Sequence, residues 1–181
     1  MRDRRSRLLL GGGTLASIGF LIVMALSGGP RESGQLVGPS GTGLMATAPE
    51  EVDRVDIESE TRRLVLVRAG GRWRSQERDV PQPVAERLRM SLRFMHVAEP
   101  VRVLARDEWE AARARDFGLD PPHYSVVLSQ GGRPLLAARF GAPNPQAVLQ
   151  YARVDGRDVL YLMPRFVGRE WEAVMDAVSG K

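Results

Sequence analysis

An α+β fold, with a mostly antiparallel sheet, two or three covering helices and one transmembrane helix ahead of them, is what this sequence predicts. Three observations carry that expectation. Residues 8–27 form a run of twenty without a charge. Downstream, Gly70-Gly71, Gly131-Gly132 and Asp155-Gly156 each separate two apolar runs, the signature of hairpins between antiparallel strands. Amphipathic stretches interrupt those strands irregularly instead of alternating with them, which argues against parallel strand–helix–strand units.

The charge-free run, Leu8 to Ser27, is long enough as a helix of about 1.5 Å rise per residue to cross a bilayer core of roughly 30 Å. Arg2, Arg4, Arg5 and Arg7 precede it against Asp3 alone. The positive-inside rule then predicts that the basic tail 1–7 stays in the cytoplasm and everything after 27 is exported. A cleaved signal peptide competes, because Ala25-Leu26-Ser27 offers small residues at a plausible cleavage site. The run exceeds the about 7–15 apolar residues of a signal peptide, which favours an uncleaved anchor. The expectation is a membrane-anchored chain whose main domain lies across the bilayer from the basic tail.

Residues 28–49 are rich in Gly, Pro, Ser and Thr and read as a flexible linker. Leu36, Val37, Leu44 and Met45 are the apolar residues in it able to dock on a partner. Residues 50–181 then form one domain. The net charge of +4 does not belong to that domain: residues 1–49 hold five of the 26 cations and two of the 22 acids, leaving 21 against 20. That balance argues against nucleic acid as a partner. The absence of cysteine excludes disulfides, thiol catalysis and cysteine metal sites.

Within the domain, Val55 and Ile57 alternate with acids as a half-buried strand, and Leu64 to Val67 reads as a strand apolar on both faces. Gly70-Gly71 turns into a short strand opened by Trp73. Pro81 and Pro83 mark a helix start, followed by Val84, Leu88, Leu92 and Met95 at helical spacing. Val101 to Leu104 is a short strand. Asp107 and Glu110 have capping-box spacing for a helix running to about Phe117. Gly118 suits the left-handed residue past a helix end, Leu119 the apolar contact that accompanies it, and Asp120-Pro121-Pro122 forbids continuation. This corner, Phe117 to Pro121, is the most specific local signal. Two hairpins follow, Tyr124 to Phe140 and Gln150 to Met163, separated by a loop at Gly141 to Pro145. From Pro164, the stripe Val167, Trp171, Val174, Met175 and Val178 predicts a closing helix.

Several of these segments together resemble a known family. Val55-x-Ile57, Leu64 to Arg68 with the Gly-Gly turn into Trp73, Phe117-Gly118-Leu119-Asp120-Pro121-Pro122, Tyr151-Ala152-Arg153 and Val159 to Leu162 resemble domain-of-unknown-function family 4340. The resemblance implies a bacterial envelope protein with one N-terminal anchor, of which some members are encoded near gliding-type ABC transporter components. It carries over no catalytic residue.

No catalytic constellation stands out. His96 and His123 lie far apart without ligand-spaced carboxylates, no nucleophile elbow occurs, and the glycine clusters lack phosphate-binding spacing. No cofactor or metal is expected. The function expected is therefore a non-catalytic, membrane-anchored accessory or scaffold subunit beside a membrane-protein partner, with Phe94, Phe166, Leu44 and Met45 as candidate contacts. The alternative is a periplasmic ligand-binding domain or envelope enzyme, which a buried pocket lined by Asp120, His123, Tyr124 and Arg153 would favour.

Overall fold

The computed structural model describes residues 43–109 and 113–178. The basic tail, the predicted membrane span at 8–27 and the linker up to residue 42 lie outside the described residues. Among the described residues no helix is long and apolar enough to cross a membrane.

Among the described residues nine strands form one sheet: β1 (Arg54–Ser59), β2 (Arg63–Ala69), β3 (Arg72–Ser75), β4 (Arg78–Asp79), β5 (Arg102–Leu104), β6 (Tyr124–Gln130), β7 (Arg133–Pro143), β8 (Leu149–Val154) and β9 (Leu160–Pro164). Their order is β4-β3-β2-β1-β6-β7-β8-β9-β5, and every neighbouring pair is antiparallel. The helices are α1 (Gln82–Val97), the short α2 (Arg106–Trp109) and α3 (Arg165–Val178). The predicted α+β class with an antiparallel sheet holds. Gly70-Gly71 and Gly131-Gly132 make two-residue turns with positive φ at both positions, which glycine adopts without strain.

Period-two alternation divides the sheet into two faces. Val55, Ile57, Leu66, Val126, Leu128 and Phe140 point to the face covered by α1 and α3, where Leu88, Leu92, Met95, Val167 and Trp171 complete the main core. Burying each large aliphatic or aromatic side chain there contributes about 1.5–3 kcal/mol. α1 crosses this face from the β4 edge to the β5 edge. Beside the return from β5 to the central strand β6, Trp109, Leu119 and Leu160 form a second, smaller cluster with Leu104, Phe117 and Tyr151.

The structure corrects several sequence expectations. Leu44 and Met45 are not docking residues of a linker: both are 1% exposed and belong to the main core. Gly43 N–H donates to His96 O and Met45 N–H to Met95 O, each at 2.9 Å, so this segment caps carbonyls at the end of α1. A Cβ at Gly43 would collide with those carbonyls. Residues 43–49 are thus part of the folded domain. β2 is not buried on both faces, since Val67 is 40% exposed on the side away from the helices. The helix expected from Asp107 does not reach Phe117, because Arg113 is extended and Ala114–Phe117 is a 3-10 turn. The cap sits two residues earlier than expected, with the Glu108 carboxylate accepting the Ala105 N–H at 2.9 Å. That bond, followed by one from Arg102, holds the Glu108 carboxyl below its ordinary range. Finally, the expected loop from Gly141 begins as strand, because β7 continues to Pro143 through an irregular register.

Candidate interaction surface

Three regions bear on function: the Phe117–Pro122 corner, the surroundings of Tyr124, and the outer ridge of the helix pair.

At the corner, Gly118 has φ +65° and closes the 3-10 turn, its N–H donating to Arg115 O at 3.0 Å. Leu119 N–H donates to Ala114 O at 2.9 Å, and its side chain is buried against Trp109 and Leu160. The Phe117 ring meets Tyr151 at 4.9 Å. The Asp120–Pro121 bond is cis, and Leu119 pairs with Pro122 across the turn. Asp120 itself is exposed. A Cβ on Gly118 would come within 2.7 Å of Ala142 N, and one on Gly141 would run into Phe117 O. The corner is therefore a close backbone joint between this turn and β7.

The second region contains a buried polar network. Tyr124 stacks on Phe140 at 4.9 Å and its hydroxyl donates to Gly168 O at 3.0 Å. Gln150, fully buried, donates from Nε2 to Gly141 O at 2.8 Å and accepts from the Arg165 guanidinium at 2.9 Å. Arg165 in turn holds both Glu172 oxygens, at 2.9 and 3.0 Å. Burial raises the Tyr124 phenol well above its ordinary pKa, and the Glu172 charge adds to the effect. This network was missed from sequence. Its signal was Gln150, a polar residue on the core-facing parity of Ala152 and Val154.

The four residues whose pocket would favour the ligand-binding alternative do not come together. His123 and Tyr124 line a shallow depression of about 410 Å³ with Pro121, Pro122 and Glu172. Arg153 lies elsewhere, on the opposite face, its guanidinium 5.5 Å from the Trp109 ring that Arg106 also covers at 4.4 Å. Two other clefts, of about 460 and 560 Å³, flank the β3–β4 edge. Their charges largely satisfy one another: Arg74 and Arg72 hold Asp79 at 3.2 and 3.6 Å, and Arg89 holds Glu86. Among the described residues no group of three or more His, Asp or Glu side chains is placed to hold a metal.

The third region is apolar and exposed. Phe94 on α1 and Phe166 on α3 meet edge-to-face at 4.9 Å, and Phe166 is 48% exposed. Met90 lies one turn before Phe94 and is also exposed. Arg165 N–H donates to Val148 O at 3.0 Å, which brings exposed Val148 beside the start of α3. Val101 and Val103 are exposed at the β5 edge, on the helix-bearing face by their register with β9. Of the four contacts expected from sequence, Phe94 and Phe166 come together here, whereas Leu44 and Met45 are core.

No family model matches the chain, and comparison with curated proteins and with solved structures returns no match.

Proposed function

We propose that this chain is a non-catalytic, membrane-anchored accessory subunit of a bacterial envelope complex. Its anchor is the 8–27 segment and its domain is presented in the periplasm. The observation that carries this reading is where the side chains spend their chemistry. The buried polar groups Tyr124, Gln150, Arg165 and Glu172 are engaged in one network, and charges at the surface are held in ion pairs. Exposed apolar side chains gather instead on the helix-bearing face, at Met90, Phe166, Val101 and Val103. Grouped exposed apolar residues favour association over catalysis. An anchor supplies the rest, because tethering raises the effective concentration of a neighbour so that a weak contact suffices. The resemblance to family 4340 points the same way and suggests an ABC-transporter complex as the neighbour.

The test is purification of the full chain from membranes in mild detergent, beside a Val101→Glu, Val103→Glu double variant. A membrane protein retained at fixed stoichiometry by the native chain and released by the variant is the expected outcome. Retention unaffected by the variant, or a chain that purifies alone, would count against a docked subunit.

A further inference from the structure

α1 and α3 run antiparallel side by side, joined by the Arg87–Glu170 pair at 3.8 Å and the Phe94–Phe166 contact at 4.9 Å. The acids of both helices are all matched: Glu86 by Arg89, Glu170 by Arg87, Glu172 by Arg165 and Asp176 by Arg62. Two exposed arginines are left over, and neither makes an ion pair or hydrogen bond among the described residues: Arg93, next to Phe94, and Arg169, one turn after Phe166. The ridge therefore presents Met90, Phe94 and Phe166 flanked by two uncompensated positive charges.

The place where the chain enters the domain adds a second constraint. Gly43 is bonded to His96 O, two residues past Phe94 on the same helix. Fifteen residues, 28–42, separate it from the end of the predicted span. A chain of that many residues spans at most about 50 Å when fully extended. The ridge is thus beside the point from which the domain is held.

We propose that this ridge rests on the anionic surface of the bilayer that carries the anchor, with Met90, Phe94 and Phe166 in the headgroup boundary and Arg93 and Arg169 on lipid phosphates. This inference rests on the anchored reading above and sharpens it: the ridge takes lipid, and the Val101–Val103 edge is left for a protein neighbour. Apolar side chains flanked by arginine suit that boundary, where both burial and attraction to anionic lipid contribute. Flat contact on the ridge also fixes which sheet edge faces a neighbour in the membrane.

The native chain has no cysteine, so single probes are clean. Full chains carrying Met90→Cys, or Val67→Cys on the opposite face of the sheet, are labelled with an environment-sensitive fluorophore. They are reconstituted into vesicles of phosphatidylcholine, with or without phosphatidylglycerol, containing a spin-labelled lipid quencher. The probe at 90 is expected to be quenched several-fold more than the probe at 67 when phosphatidylglycerol is present. High salt should erase that difference. Arg93→Gln with Arg169→Gln should weaken the contact on the order of tenfold. If the chain floats with the vesicles but both probes are quenched alike, the ridge does not bind lipid and the inference falls while the anchor stands. Shielding of position 90 in native membranes but not in vesicles would assign the ridge to a protein and overturn it equally. A chain that does not float at all removes the anchor, and the inference with it.

Discussion

The corner at 114–122 and the ridge of the helix pair are both made of aromatic and apolar residues, and they differ in what those residues touch. At the corner Phe117 packs on Tyr151, Leu119 on Trp109 and Leu160, and Gly118 lies against the backbone of Ala142. At the ridge, Phe94 and Phe166 touch each other, and Phe166 and Met90 are open to solvent. The corner has the denser sequence motif and the ridge has hardly one. A dense motif of Gly, Pro and aromatics reports a geometric demand of the backbone. A contact surface leaves only a stray apolar residue on the polar side of a helix, because nothing in the fold requires it.

The largest test of that contrast lies at the inward extreme. Leu44→Ala should cost about 2–5 kcal/mol, the range for truncating a buried leucine whose surroundings cannot collapse. Chemical denaturation of the domain measures it. A cost under about 0.5 kcal/mol would mean that the 43–45 segment is only laid against α1 and has no part in the core. Gly118→Ala comes next, at about 2 kcal/mol, from the left-handed backbone and the 2.7 Å approach of a new Cβ to Ala142 N. A neutral result accompanied by loss of partner retention would move the corner from the inward class to the contact class.

How far each region could be read from sequence follows from the same contrast. The hairpins were legible because Gly70-Gly71 and Gly131-Gly132 occupy positions where a side chain is strained. The stripes of α1 and α3 were legible because burial on one side imposes a period. Leu44 and Met45 were not, since two adjacent apolar residues in a glycine-rich stretch have no period at all. The exposure of Val101 and Val103 was equally hidden. It depends on β5 being carried by α1 to the far edge of the sheet, and strand order is a tertiary fact. The capping pair is Ala105 and Glu108 in place of Asp107 and Glu110, because α2 starts earlier, at Arg106.

A smaller effect is expected at Tyr124, which is inward but polar. Tyr124→Phe keeps the ring on Phe140 and removes the bond to Gly168 O, which should cost about 1–2 kcal/mol near neutral pH. The sign of its pH dependence follows from the raised phenol pKa. In the unfolded chain this phenol ionises near pH 10, and in the fold it resists ionisation because it is buried. Its contribution is therefore fully present below about pH 10 and is lost as pH rises beyond it. The gap between native and variant stability should close above about pH 10 in denaturation series. A gap that stays constant would show that Tyr124 keeps no special proton in the fold.

The smallest effect is expected at Phe166, and it separates the two regions most sharply. The ring is already 48% exposed, and its aromatic partner among the described residues is Phe94. Phe166→Ser therefore forfeits an edge-to-face contact of about 0.5–1.5 kcal/mol, partly offset because less apolar surface is left in water. A loss of at most about 1 kcal/mol is expected by thermal unfolding. Gly168, two residues further on, provides the internal control, because a Cβ there collides with the Gln150 carbonyl and crowds the Tyr124 hydroxyl. Gly168→Ala should be the more disruptive change of the two although it adds a single carbon. If Phe166→Ser proved as damaging as Gly168→Ala, the ridge would belong to the core like the corner, and its exposed rings would have to be read as packing.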